Sequence, residues 1–107
     1  MSVRIYISEE TVTAYLMGEI DHHSAKEIRE EIDQTVRRAH PDLLVLDFRD
    51  VTFMDSSGIG LVMGRYSLMQ EIEGQLQVVS LSGHIKKVMK LAGLDRLSVL
   101  ENGGKSK

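Results

Sequence analysis

A chain of 107 residues is long enough for one hydrophobic core and too short for two domains. Its 42% hydrophobic and 27% charged residues suit an ordinary folded domain, and a net charge of -3 supplies no basic field for nucleic acid. Cysteine and tryptophan are absent, aromatics are three Tyr and two Phe, and no apolar run reaches membrane-span length, which argues against disulfides, a base-stacking platform, secretion and a membrane anchor; a cytoplasmic protein is expected.

Residues 3–20, VRIYISEETVTAYLMGEI, alternate apolar and polar on both sides of Ser8-Glu9-Glu10. A period of two broken by a short polar turn predicts an antiparallel hairpin. The period then changes. Ala25, Ile28, Ile32, Val36 and Ala39 recur at spacings of three and four, one apolar stripe on a charged helix. Ser24 followed by Glu27 fits a capping box at its start, and Pro41, the only proline, marks its end. On that reading Asp21 stands outside the helix with its carboxylate spare; the alternative is that Asp21 is itself the cap, with Ser24 inside the first turn. Residues 43–48, LLVLDF, are nearly all apolar, as in a central strand covered on both faces. SGIGLVMGRYSLMQEIEG predicts a helix with Ile59, Val62, Met63, Tyr66 and Met69 inward, closing at Gly74. QLQVVSL predicts another strand. GHIKKVMKLAG predicts a helix presenting Ile85, Val88, Met89 and Ala92 and capped by Gly93, and residues 97–100 predict a last short strand.

This order predicts an α/β domain: a mixed, mostly parallel sheet of about five strands, an antiparallel N-terminal strand, and three or more helices. Residues 1–101 form the domain and residues 102–107 a flexible polar tail. In such sheets, ligands and partners meet the loops at the carboxyl ends of the parallel strands. Two of these loops stand out, GEIDHHSA and MDSSG, and they form one surface if their strands are neighbours.

Three readings compete for Asp55-Ser56-Ser57-Gly58. As a cap, Asp or Ser accepts bonds from free N–H groups at a helix start, worth roughly 1 kcal/mol. One cap suffices, yet three candidates stand in a row. As a nucleophile, Ser56 or Ser57 lacks the glycine two residues before it that a G-x-S-x-G turn requires. No glycine-rich oxyanion loop accompanies them, so an enzyme is not expected. As a phosphate acceptor, a serine at a helix start is physically apt, because free N–H groups and the helix dipole favour negative charge. On the residues alone, cap and acceptor both stand. Gly58, Gly60 and Gly64 each cost a helix about 1 kcal/mol relative to Ala, which signals close backbone approach to the sheet or to a partner. His22 and His23 are adjacent and lack the spacing of paired metal ligands. The glycine spacing is wrong for a dinucleotide fingerprint, and neither metal nor cofactor is expected.

GEIDHHSA followed by LVLDFRDVTFMDSSGIGLVMGRY closely resembles the anti-sigma factor antagonists with a STAS domain, the sporulation type in particular, over roughly residues 3–100. The resemblance implies that Ser56, directly after the motif aspartate, is phosphorylated, and that Ser57 belongs to the helix start. It also implies partner switching. The unphosphorylated protein would bind an anti-sigma factor that is itself a serine kinase with a bound adenine nucleotide, and so free a sigma factor. Phosphorylation of Ser56 would end that complex, and a PP2C-type serine phosphatase would reset it. Asp21, His22, His23, Asp55, Ser56, Ser57, Gly58, Ile59 and Gly60 become the expected partner surface, with no nucleic acid or membrane involved. The alternatives are a stress-response antagonist acting on a different sigma factor, or a small serine-dependent enzyme. Two features depart from the family: the chain ends at ENGGKSK where members of this type often continue into a further helix, and LSGHIKK lacks the proline that commonly opens the third helix. Neither touches the two loops.

Overall fold

The alternating N-terminal residues form the expected hairpin: β1 (Val3–Ser8) pairs antiparallel with β2 (Thr11–Ile20), from Val3 opposite Leu16 to Ser8 opposite Thr11. The computed structural model describes residues 2–97, 99 and 100. After the hairpin come α1 (His22–Ala39), β3 (Leu43–Met54), α2 (Ser56–Glu71), β4 (Gln75–Val79), α3 (Gly83–Leu91) and a 3-10 helix, Leu94–Leu97. The sheet order is β1-β2-β3-β4, with β3 parallel to both of its neighbours.

Helix α1 packs on β1 and β2, α2 packs on β3 and β4, and the two helices pack on each other. They therefore share one face of the sheet. That face carries Val12, Ala14, Leu16, Leu44, Leu46, Phe48, Leu76 and Val78, all buried, against Ile28, Ile32 and Val36 of α1. Each fully buried isoleucine there contributes about 1.5–3 kcal/mol relative to exposure. The opposite parity is half-buried at Thr13, Tyr15, Leu43 and Val45, with Asp47 the buried exception. So β3 is central but not covered on both faces along residues 43–48, because neighbouring helices on one face leave the other face of those strands open.

The apolar stripe of α1 is buried as predicted except Ala39, which is exposed in the last turn. The helix stops at His40, whose left-handed backbone (φ 48) lets its N–H donate to the Val36 carbonyl at 2.8 Å, ahead of Pro41. Helix α2 is rotated from the expected face. Met63 is 45% exposed, Ile59 and Tyr66 are half-buried, and Gly58, Leu61, Arg65 and Leu68 join Val62 and Met69 inside. Two contacts set that rotation: Gly58 lies so close to the Met54 side chain that a Cβ there would collide with it, and Arg65 turns inward to Asp33. The helix ends at Ile72, ahead of Gly74. In α3, Ile85 and Met89 are buried, Val88 is half-buried, and Ala92 is the exposed C-cap just before Gly93. The expected last strand is reduced to one parallel bridge, Leu100 beside Val78, with the Val78 N–H donating to the Val99 carbonyl at 2.7 Å. Leu97 instead closes the 3-10 helix, while Ser98 and the expected tail at 102–107 lie outside the described residues. Among the described residues, no helix is long and apolar enough to cross a membrane.

Candidate functional site

β2 and β3 finish level because β3 accommodates two extra residues. Pairing steps from Tyr15–Asp47 to Met17–Asp50, and from Gly18–Val51 to Glu19–Phe53, so β3 bulges twice against β2. Gly18 sits at φ +79, where a side chain would be strained. The strands realign with Ile20 opposite Met54. In each chain segment the next residue is an aspartate, and each aspartate caps a helix. The Asp55 N–H donates to the Ile20 carbonyl at 3.1 Å, which ties the two loops together. The expected single surface therefore exists, built from two strand–Asp–helix junctions side by side.

At the first junction the structure corrects the sequence reading. Asp21 is the N-cap of α1: its Oδ1 accepts the N–H groups of His23 and Ser24, each at 3.0 Å. Ser24 completes the box in reverse, its Oγ accepting the Asp21 N–H at 3.0 Å and donating to the Glu19 carbonyl at 2.8 Å. The expected Ser24–Glu27 box is absent, because the helix begins at His22 and puts Ser24 at its third residue. These contacts, the Ser24 N–H first, hold the Asp21 carboxyl below its ordinary value. Among the described residues Oδ2 has no hydrogen-bond partner. His22 and His23 are exposed, with rings 4.1 Å apart.

At the second junction Asp55 is the cap, its Oδ1 accepting the Ser57 N–H at 2.8 Å. Ser56 is the first residue of α2 and is exposed, and among the described residues its hydroxyl has no partner. Ser57 is half-buried and faces a cleft between α1 and α2. Ile59 is half-buried, while Gly58 packs on Met54. Gly60 and Gly64 have no such internal reason, since a Cβ at either would meet nothing within 4 Å. Ser56, Gly60, Met63 and Ser67 form an exposed, uncharged stripe along α2.

The sequence reading missed two features here. Phe53, 53% exposed, lies opposite Glu19 at the foot of the loops. Arg65 is 5% exposed and approaches Asp33 with Nε 2.9 Å from Oδ1. That contact misses hydrogen-bond geometry, so charge holds it, and Nη1 is buried without a hydrogen-bond partner. Burial pushes the Arg65 guanidinium below its usual basicity, Asp33 opposes this, and Arg29 and Arg37 push it further down. The available signal was His22, Lys26, Arg29 and Asp33 at spacings of three and four, a polar face easily taken for a solvated one.

A model of the STAS domain matches residues 2–103. The chain is 32% identical over 82 residues to the anti-sigma F factor antagonist of Paenibacillus polymyxa, covering 77% of this chain and 70% of that one. The unphosphorylated form of the anti-sigma factor antagonist SpoIIAA is similar with a TM-score of 0.83 and 29% identity, covering 96% of this chain and 89% of that one. The phosphorylated form of the Bacillus cell fate determinant SpoIIAA is similar with a TM-score of 0.76 and 29% identity, covering 96% and 92%.

Proposed function

The chain belongs to the STAS domain family, and from that membership we propose that it is an anti-sigma factor antagonist of the sporulation type, switched off by phosphorylation at Ser56. One observation carries the switch: Ser56 presents a free, exposed hydroxyl at the first position of α2, beside the Asp21 loop and at the head of an uncharged stripe. Unphosphorylated, this surface binds an anti-sigma factor and so releases a sigma factor. Asp21 through Oδ2, His22, His23 and the 55–60 segment are the contact residues. The anti-sigma factor is also the serine kinase, with its adenine nucleotide bound, and a PP2C-type phosphatase reverses its action. The protein works in the cytoplasm by binding, with no chemistry of its own. Phosphorylation adds about -1.5 to -2 charge and three acceptor oxygens beside two carboxylates, so a partner surface made for the neutral hydroxyl loses its fit.

Incubation with the cognate anti-sigma factor and ATP, read by intact mass and peptide mapping, tests this. One phosphoryl group on Ser56 is expected, with none on Ser56→Ala, and Ser56→Ala keeps binding and leaves the sigma factor free. Stoichiometric modification of Ser57 in the Ser56→Ala protein would move the acceptor and defeat the assignment.

A further inference from the structure

We propose that the free edge of β1 is a self-association site, on which a second copy of this chain adds antiparallel through its own β1. The sheet order β1-β2-β3-β4 has two edges. At β4 the edge is partly covered, because Leu100 bridges Val78. At β1, among the described residues, no strand lies on the outer side. Folded proteins usually blunt such an edge with Lys, Pro, a bulge or a very short strand. VRIYIS has none of these: it runs six residues in unbroken register with β2, and Arg4 is its single charge. Its outward groups follow from one bond. The Met17 N–H donates to the Ser2 carbonyl at 2.8 Å, one step beyond the Val3–Leu16 pair. Along an antiparallel strand the N–H and C=O of alternate residues turn to the same side. Those of Ser2, Arg4 and Tyr6 therefore face β2, and those of Val3, Ile5 and Ile7 face outward.

The strand is complementary to itself. Ile5-Tyr6-Ile7 reads the same in both directions, so a two-fold axis at Tyr6 sets Ile5 opposite Ile7 of the copy, both with outward N–H and C=O groups to exchange. Tyr6 then faces Tyr6 of the copy as a non-bonded pair, the closer kind, and aromatic pairs are among the favoured cross-strand contacts. Arg4 falls opposite Ser8 of the copy, so no like charges oppose each other. Burial points to the same register. Along the helix side of β1 cover is lost step by step, from Val3 at 2% exposure through half-buried Ile5 to Ile7 at 55%. Reversing the copy brings its bare Ile7 beside Ile5, where a groove of about 470 Å³ between β1 and α1 lies open, lined by Val3, Ile5, Gln34 and Thr35 with Arg4 and Glu31 at its rim. The contact is isologous and closed, which favours a dimer over a fibre. One short edge is small beside the roughly 1,200–2,000 Å² of stable interfaces, so the dimer is reversible and concentration-dependent. Tyr6 pairs with Thr13, toward the start of β2, whereas the Asp21 and Asp55 loops stand at the ends of β2 and β3. The two copies thus point those loops in opposite directions and leave both open.

The chain contains no cysteine, so single replacements read the register directly. On the two-fold axis, Tyr6→Cys sets two thiols opposite each other with Cβ atoms about 4.5–5.5 Å apart, near enough to bridge after a small adjustment. Ile7→Cys, at a similarly exposed position, faces Ile5 of the copy and meets no thiol. A thiol oxidant is expected to convert Tyr6→Cys to a disulfide dimer and to leave Ile7→Cys largely unlinked. For the unaltered chain, sedimentation equilibrium should show the average mass rising with concentration, with hydrogen exchange slowing at the Ile5 and Ile7 N–H groups. Ile7→Lys should melt like the parent and dimerise at least about tenfold more weakly. Equal oxidation of the two cysteine variants, or a dimer that survives Ile7→Lys, overturns the β1 interface. A chain that stays monomeric at every concentration overturns it as well; if its Ile5 and Ile7 amides then shift on adding the anti-sigma factor, the edge belongs to that partner. The dimer readouts use neither kinase nor anti-sigma factor, so their outcome is separate from whether Ser56 is a switch.

Discussion

Of the two oxygens of the Asp21 carboxylate, Oδ1 holds the first turn of α1 through His23 and Ser24, while Oδ2 accepts no hydrogen bond among the described residues and is the one proposed for the partner. Substitution can separate these roles, because asparagine caps a helix about as well as aspartate and alanine does not. Asp21→Asn is therefore expected to melt close to the parent at neutral pH yet bind the anti-sigma factor at least about tenfold more weakly. Asp21→Ala should lose several degrees of melting temperature as well. The pH dependence has a defined sign. The folded-state pKa lies below the ordinary 3.8, so the ionised cap stabilises fully above that value and its contribution disappears as pH falls through the folded-state pKa. Melting curves taken from neutral pH to below 3.8 should show the parent's lead over Asp21→Ala shrinking on the acid side. Equal affinity for Asp21→Asn and the parent would leave Asp21 with capping alone.

Helix α2 contains three glycines, Gly58, Gly60 and Gly64, for reasons that differ. Gly58 is needed because Met54 occupies the space of a side chain. Gly60 and Gly64 face open space, where alanine would fit and would raise helix stability by about 1 kcal/mol per site. Glycine is retained there against the fold's own interest, which points outward to a partner's close approach. The Gly60→Ala/Gly64→Ala protein is expected to melt above the parent while binding the anti-sigma factor more weakly. A rise in melting temperature with unchanged affinity would remove α2's outer stripe from the interface. The same helix marks where the sequence was legible and where it was not. The stripe on α1 could be read because its inward residues are nearly all apolar. The inward face of α2 could not, since Gly58 and Arg65 are buried by pairings with Met54 and Asp33 that lie in other elements. The meeting of the two loops could be stated only on the condition that their strands are neighbours, and the sheet order supplies that condition. Which of Asp21 and Ser24 caps α1 was not legible, because both are good caps and only the helix's first residue decides. The cleft between α1 and α2 depends on how the two helices pack, so no local pattern announces it.

At the scale of the whole molecule, the switch proposed at Ser56 has to change what the protein binds without changing its fold. The fold supports that. Ser56 is exposed and outside the core, and the strand ends behind it are locked by the Ile20–Met54 pairing and the Asp55–Ile20 hydrogen bond. A radius of gyration of 12.7 Å is close to the about 13 Å of a compact domain of this size. A phosphate on the first residue of α2 meets a helix dipole that favours negative charge, while the rest of a chain with net charge -3 mildly opposes it. These effects are each small and of opposite sign. Phospho-Ser56 protein is accordingly expected to keep the circular dichroism of the parent, to melt within a few degrees of it, and to keep hydrogen-exchange protection along α2, while its affinity for the anti-sigma factor collapses. Loss of α2 protection or of helical signal on phosphorylation would mean that the switch acts by local unfolding, and the rigid-surface account would then fail even though Ser56 remained the acceptor.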